Sequence, residues 1–460
     1  MTDIKKHSVA ILGTGESGMG AALLAKAKGL SVFVSDSGKI SKENQGLLNQ
    51  LQISFEQKGH TLSKLMDFDE IIKSPGIPES AVVIKSLREN QNAIISEIEF
   101  AARYTKAKLV AITGSNGKTT TTLLTHHLLE SAGLNVGIAG NIGNSLAGLV
   151  MESDHDIIVL ELSSFQLDGM YEFQADTAIL LNITPDHLDR YGYDINNYAD
   201  SKLRITQNLN EQNALIYNLD DQLVTDKLAN KKVPSQKFGF SLQSDPKASA
   251  VQSGVNLKFD NESKLSIEIE SIPLIGRHNL YNSMAAILTT MRYGLNQKEI
   301  LAGLKTFENA PHRLEYVARV DGVRFINDSK ATNVDSVYYA LDGMDRDVIW
   351  IAGGVNKGND YSQIRGLVKE KVSALICLGV DNQHLLEAFE DDVDRIFECQ
   401  NINTAVKKAL KMAYPGDVVL LSPACASFDL FNSYEHRGDL FKKAVLDLKK
   451  NFKTKKELVV

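Results

Sequence analysis

The stretch Ala111–Thr122, AITGSNGKTTTT, restricts the fold of this chain more than any other. The apolar run Leu109-Val110-Ala111-Ile112 reads as a strand, and Leu123, Leu124, Leu128 and Leu129 carry a helical spacing after it. Between them lies a glycine-rich turn with one lysine. Gly114 and Gly117 permit backbone angles that let the N–H groups around Ser115 and Asn116 converge on an anion, and the new helix adds its positive end. Lys118 can place a charge on phosphate oxygens, and the hydroxyl of Thr119, followed by Thr120, can ligate Mg²⁺. The spacing departs from GxxxxGK[ST], because Ile112 stands where the first glycine is expected. A strand, a turn and a helix with an exposed lysine is the plain alternative. The reading taken here is a nucleoside triphosphate site.

A chain of 460 residues is too long for one core, and about three domains are expected. They are placed at residues 1–97, 98–308 and 309–460. A net charge of −7 argues against non-specific nucleic-acid binding. No apolar run approaches the roughly 20 residues a membrane helix needs, so no membrane insertion is expected. The N-terminal MTDIKKHS lacks a signal-peptide core, and a cytoplasmic location follows as the expectation. Cys377, Cys399 and Cys425 show no CxxC spacing and read as buried free thiols.

In the first third, the strand Ser8–Leu12 meets Gly13-Thr14-Gly15-Glu16-Ser17-Gly18, a GxGxxG match, and a second strand ends at Asp36. Alone this predicts a dinucleotide site. The same turn suits any diphosphate, and a nucleotide diphosphate is the preferred ligand. Ser74-Pro75-Gly76-Ile77-Pro78 forms a stiff turn after a further strand. Beyond the lysine loop, the strand Asp156–Leu160 delivers Glu161 at its carboxyl end, and Asp176–Leu181 leads to Asn182-Ile183-Thr184-Pro185-Asp186-His187. Ligands of open α/β sheets sit beyond such strand ends, which places Lys118, Glu161 and His187 together. A solvated loop acid and a helix-start histidine are the bland alternatives. Lys202 looks like a surface lysine on a helix, and Gln236–Glu270 reads as a two- or three-stranded antiparallel excursion. Asn279 and Asn282 lie one helical turn apart, so both amides could face one ligand. From Glu308 the strand–helix alternation restarts, as in a doubly wound sheet, with Arg313 at its entry and a solvated lysine-rich tail at Lys449–Lys456.

Together these segments resemble the Mur ligase family of bacterial cell-wall synthesis, over essentially the whole chain. The matching motifs are TGSNGKTT (113–120), GNIG (140–143), ELSSFQL (161–167), NITPDHLDRY (182–191), GRHNLYN (276–282), HR (312–313) and NDSKATN (327–333). A phosphate loop without the first glycine is normal in that family. The segment SPACASFDLFNSYEHRG (422–438) and the GTGESG turn direct the resemblance to members that add D-glutamate to UDP-N-acetylmuramoyl-L-alanine.

The resemblance implies an α/β chain of three domains: a Rossmann-like first domain, a central P-loop-type ATPase domain with a small antiparallel excursion, and a Rossmann-like last domain. It implies ATP, two Mg²⁺ ions and a monomer that closes around its substrates. Ser17, Asp36 and Ser74, Pro75 and Gly76 would hold the UDP part of the substrate, with Asn141 and His187 nearer its muramoyl end. The loop Gly114, Ser115, Asn116, Gly117, Lys118, Thr119 and Thr120 would hold the triphosphate, with Thr119 and Glu161 on the metal. Lys202 matches a lysine carbamylated in the family, joining His187 at a second Mg²⁺. Asn282, Arg313, Asp328 and Lys330 would grip ATP. Thr332, Lys357, Ser427 and Phe428 would receive D-glutamate. Gly38 and Lys39 stand where an arginine is frequent, and Tyr434 replaces a frequent phenylalanine, a mild change. A nicotinamide-dependent oxidoreductase, from GTGESG and Asp36, and a P-loop regulator or transport ATPase are the competing classes. Neither accounts for the whole set of motifs.

Overall fold

The computed structural model describes residues 7–259, 265–274, 276–344, 346–356 and 358–457. Among them, short apolar strands at the cadence read from the sequence gather into three sheets. β1 (Ser8–Leu12), β2 (Ser31–Asp36), β3 (Ser54–Gln57), β4 (Glu70–Lys73) and β5 (Ala93–Ser96) form a parallel sheet of order 3-2-1-4-5. That order is the doubly wound one, with a switch point beside β1.

The central sheet holds β6 (Lys108–Thr113), β7 (Val136–Gly140), β8 (Ile157–Glu161), β9 (Thr177–Leu180), β10 (Ala214–Asn218), β11 (Gln236–Ser241), β12 (Ala248–Ser253), β13 (Asn256–Phe259) and β14 (Ser266–Glu268). Its order is 14-13-12-11-10-9-6-8-7. The expected antiparallel excursion is present as β12–β14, but it begins later than Gln236. β11 runs parallel to β10 and β12 parallel to β11, so only β12–β14 alternate in direction. The helix Gln222–Ala229 accounts for the first of these pairs, since it supplies the crossover between β10 and β11 that a parallel pair requires.

The third sheet comprises β15 (Glu315–Val320), β16 (Val323–Asn327), β17 (Val348–Ala352), β18 (Val372–Leu378), β19 (Ile396–Cys399) and β20 (Val418–Leu421), in the order 15-16-20-17-18-19. Only β15 pairs antiparallel. Its inner strands are buried on both faces, and β17 shows how: Val348, Trp350 and Ala352 join one core while Ile349 and Ile351 join the other. A near-continuous apolar run is the sequence form of that double burial.

The chain divides into two compact units. One holds the described residues up to Ile272 with Tyr281–Phe307, and therefore both the first and the central sheet; the other holds Pro273–Leu280 and the residues from Glu308 onward. Within the first unit the helix Glu16–Ala27 packs on the helix Leu146–Glu152, and Leu24, Ile98, Leu146 and Leu160 share one core. In the second, Lys449 and the lysines after it, read as a solvated tail, continue the helix Tyr434–Glu457. Phe441 and Val445 earlier on that helix are fully buried and anchor it. Cys377 and Cys425 are buried free thiols, whereas Cys399 is half-buried. No described helix is long and apolar enough to cross a membrane.

Candidate functional site

Because β6 lies between β8 and β9, the chain leaving each of these three strands emerges at one edge of the central sheet. Ile112 pairs with Glu161 and Thr113 with Leu180, so the lysine loop, Glu161 and the segment to His187 begin side by side. Gly117 caps the helix Lys118–Ser131 with φ +85°, the left-handed region. A Cβ there would come within 2.2 Å of Asn282 Oδ1, so two requirements exclude every other residue. Gly114 serves proximity alone: its Cβ would lie 2.9 Å from that of Leu181.

The loop is held from the β9 side. Asn116 N donates to Asn182 Oδ1 at 2.8 Å, and Asn182 Nδ2 donates back to the Asn116 carbonyl at 3.0 Å. Ser115 Oγ donates to the Thr184 carbonyl and accepts from Thr184 N, both at 2.9 Å. Lys118 Nζ donates to the Gly114 and Ser115 carbonyls at 2.8 Å. The loop is thus a braced cradle with its lysine folded onto it. Thr119 and Thr120 are buried at the start of the helix.

Glu161 is 2% exposed, which removes the solvated-acid alternative. Asn141 holds it twice: its N–H donates to the Glu161 carbonyl and its Nδ2 to Glu161 Oε1, both at 2.8 Å. Oε2 is buried without a hydrogen-bond partner. A buried anionic oxygen with open lone pairs fits a hard cation. Among the described residues no three His, Cys, Asp or Glu side chains cluster, so an ion here needs further oxygens from a hydroxyl and a phosphate. His187 is more exposed, in the left-handed region at φ +52°, with its ring edge-on to Phe165 at 5.2 Å. A non-glycine residue held at such an angle stores local strain.

Lys202 corrects the sequence reading. It lies on the helix Ile195–Leu203, yet it is 1% exposed. Its Nζ donates to the Gly114 carbonyl at 2.7 Å and sits 4.4 Å from the Tyr198 ring centre. Burial, reinforced by the charge on Lys118, pushes its amine well below the usual lysine range. A lysine on a helix reads as a surface residue because a cationic side chain is seldom fully buried. The glycine-rich loop covers it, and that contact spans 88 positions in sequence.

Ser17 lies in the first turn of the helix Glu16–Ala27. Asp36 closes the GTGESG turn: one carboxylate oxygen accepts from Thr14 N and Thr14 Oγ1, the other from Gly38 N. Partial burial raises its pKa, and these bonds outweigh that and hold it below the usual range. Ser74 N bonds to the Leu12 carbonyl and Ile77 N to the Ser74 carbonyl, which folds Ser74-Pro75-Gly76 against the end of β1. Ser74 Oγ is buried without a partner.

In the second unit Asp328 is buried; its Oδ2 accepts from Ser422 Oγ at 2.8 Å and its Oδ1 from Leu314 N. Burial pushes its carboxyl up to about 7, against the opposing charges of Arg313 and Arg437. Lys330 Nζ donates to the Tyr434 hydroxyl at 2.5 Å. The tyrosine is therefore not a mild change from phenylalanine, because its hydroxyl fixes a lysine. Thr332 precedes the helix Val334–Asp342, Ser427 is 2% exposed and Phe428 is 72% exposed. Lys357 lies outside the described residues. Sequence reasoning assigned no role to Asn182 or Tyr198. Asn182 was visible only as part of a motif, and its side-chain clamp is a property of the fold.

Comparison with known proteins accords with this arrangement. Residues 112–290 match the Mur ligase middle domain, 312–425 the Mur ligase glutamate ligase domain and 8–82 the MurD N-terminal domain. The UDP-N-acetylmuramoylalanine--D-glutamate ligase of Cytophaga hutchinsonii is 49% identical over 96% of this chain and 99% of its own. That of Christiangramia forsetii is 47% identical over the same shares. Among solved structures, the UDP-N-acetylmuramate-alanine ligase MurC of Thermotoga maritima has a similar fold, with a TM-score of 0.58 at 18% identity over 96% of this chain and 99% of its own.

Proposed function

The chain belongs to the Mur ligase family, and from that premise we infer that it is an ATP-dependent amide ligase joining D-glutamate to UDP-N-acetylmuramoyl-L-alanine in peptidoglycan precursor synthesis. Near-half identity over almost the whole length to relatives bearing that name carries the reading. The braced lysine loop supports it from the chemistry.

The L-alanyl carboxylate attacks the γ-phosphorus of ATP, giving an acyl phosphate and ADP. The D-glutamate amine, after losing a proton, then attacks the acyl carbon, and phosphate leaves. The loop N–H groups and Lys118 bind and neutralise the triphosphate, a task of positioning and electrostatics. This requires Lys118 to exchange its two carbonyl acceptors for phosphate oxygens. Glu161 Oε2, the Thr119 hydroxyl, His187 and Lys202 are the residues that would hold divalent cations. Mg²⁺ bound there would spread the charge of the transferring phosphoryl group. Use of ATP and a divalent metal follows from the family; two ions are the proposed count.

Lys202 as an ammonium would repel a cation. As a carbamate it would become an anionic oxygen donor, and its burial without an ion pair among the described residues supports that role. His187 is the candidate base for the D-glutamate amine if metal ligation leaves a ring nitrogen available. Ser17, Asp36, Ser74, Pro75, Gly76, Asn141 and His187 are proposed for the UDP-linked substrate. Asn282, Arg313, Asp328 and Lys330 are proposed for ATP, and Thr332, Lys357, Ser427 and Phe428 for D-glutamate. The proposed domains are 1–97, 98–308 and 309–460, in a cytoplasmic monomer.

The test is phosphate release from ATP with UDP-N-acetylmuramoyl-L-alanine and, separately, D-glutamate, L-glutamate, L-lysine or L-alanine. Release that depends on D-glutamate alone is expected. Dependence on another amino acid would overturn the substrate assignment. Full activity in Lys202→Ala would overturn the carbamate.

A further inference from the structure

Among the charged side chains that line one cavity of the first unit, one is left over when the others are matched with partners. A cavity of about 400 Å³ is lined by the arginines Arg88, Arg190 and Arg204 and the acids Glu79, Asp168 and Asp200. Glu79 takes both Nε and Nη2 of Arg88, at 3.0 and 2.6 Å, and Lys73 at 3.2 Å. Asp168 accepts from the Tyr191 hydroxyl at 2.9 Å, and Asp200 pairs with Lys227 at 2.7 Å. Arg204 spends its donors on the Leu167 and Met170 carbonyls.

Arg190 remains. Its guanidinium carbon lies 4.3 Å from the Phe165 ring centre, and no hydrogen bond or ion pair reaches the guanidinium among the described residues. Its position is nevertheless fixed. Phe165 stacks on Tyr191 with an interplanar angle of 5° and meets His187 edge-on. Arg190 also belongs to the short helical turn Leu188–Tyr191, whose entry His187 holds in the left-handed region. Five donors in a planar fork, oriented by an aromatic platform on a cavity wall, form an incomplete site for an oxyanion.

The same cavity wall includes Glu79, three residues beyond the Ser74-Pro75-Gly76 turn. The charge on Arg190 also reaches Lys73, immediately before that turn. Arg190 therefore stands between the turn proposed for UDP and the histidine proposed for the muramoyl end. Resting on that reading of the substrate, the geometry points to Arg190 as a substrate-binding residue that takes an oxyanion of the UDP-linked substrate in its guanidinium fork, with Phe165 as its positioning residue. The diphosphate is the group expected there.

Kinetics of Arg190→Ala, Arg190→Lys and Phe165→Leu in the full chain test this. In Arg190→Ala, KM for the UDP-linked substrate should rise about tenfold or more, the order expected for a lost charge-assisted pair. KM for ATP and for D-glutamate should not move, and the thermal midpoint should fall only slightly, because the contact with the Phe165 ring is lost but no internal hydrogen bond is. Arg190→Lys keeps the charge without the fork and should recover part of the loss; Phe165→Leu should show a smaller rise in the same KM. With UDP as a competitive inhibitor, a parallel rise in Ki assigns the contact to the diphosphate. An unchanged Ki with a raised KM assigns it to the carboxylate of the muramoyl-L-alanine end, which also supports the inference. An unchanged KM for the UDP-linked substrate, or a rise confined to D-glutamate, would overturn it. Absence of turnover in the wild-type chain would count against the ligase reading instead.

Discussion

Glu161 and Asn141 show what a pair of side chains can achieve that neither achieves alone. A carboxylate with 2% exposure needs partners, and Asn141 supplies one to Oε1 while leaving Oε2 open. The amide thereby aims the open oxygen. Partners of this kind tune metal affinity by about 10–100-fold. Asn141→Ala should raise the Mg²⁺ concentration for half-maximal activity by roughly tenfold, with activity recovered when both Mg²⁺ and the UDP-linked substrate are saturating. Glu161→Gln removes the anionic oxygen itself and should not recover. A magnesium titration of both variants separates the roles, and equal behaviour would reject the division. Tyr434→Phe isolates another local bond. Loss of this one hydrogen bond to Lys330 should lower stability by about 1 kcal/mol, measured by denaturant unfolding.

Among elements, the helix Leu146–Glu152 is held by acids from outside it. Glu16 Oε1 accepts from Ser145 N at 2.9 Å and Glu97 Oε1 from Ala147 N at 2.5 Å. Ser145 itself caps the helix through Gly148 N. These bonds tie the segments around the first sheet to the central one. Glu97 Oε2 has no partner, and burial, with Glu16 adding a like charge, pushes the carboxyl up to about 7 despite the Ala147 N–H. The folded pKa lies above the unfolded value near 4.5. The stabilisation is therefore fully present below about pH 4.5 and is lost as pH rises toward 7. A rise of that size corresponds to about 3 kcal/mol. Glu97→Gln should flatten the fall in stability between pH 4.5 and 7, and denaturant melts across that range check it. An unchanged difference between variant and wild type at all pH values would contradict the buried acid.

The same scale shows what the sequence carried and what it did not. Apolar runs located β1, β8 and β9 to within a residue or two, because strands buried on both faces need such runs. The direction of β11 was illegible, since parallel and antiparallel strands share an alternation and differ only in the path of the connecting chain. The phosphate loop was legible because its chemistry is local. Lys202 became legible only through family resemblance, and Arg190 was not legible at all. Each depends on which distant residues fill the space beside it.

At the scale of the whole molecule, two units with separate cores should unfold as two calorimetric transitions. The third sheet has two cores of its own, while the first and central sheets share one core and the first has a second to itself. All residues proposed for the UDP-linked substrate, from Ser17 to His187, belong to the first unit; Thr332, Ser427 and Phe428 belong to the second. A ligand stabilises the body whose folded form it binds, by about 2.7 kcal/mol at a hundred times its Kd. The UDP-linked substrate alone should therefore raise one transition and leave the other in place. Glu161→Gln should preserve that shift while abolishing turnover, because the shift reports binding and not chemistry. Differential scanning calorimetry with and without the substrate decides it. A single transition, or two that move together with this one ligand, would show that the units exchange stabilisation and that their separation by contacts is not a separation in energy.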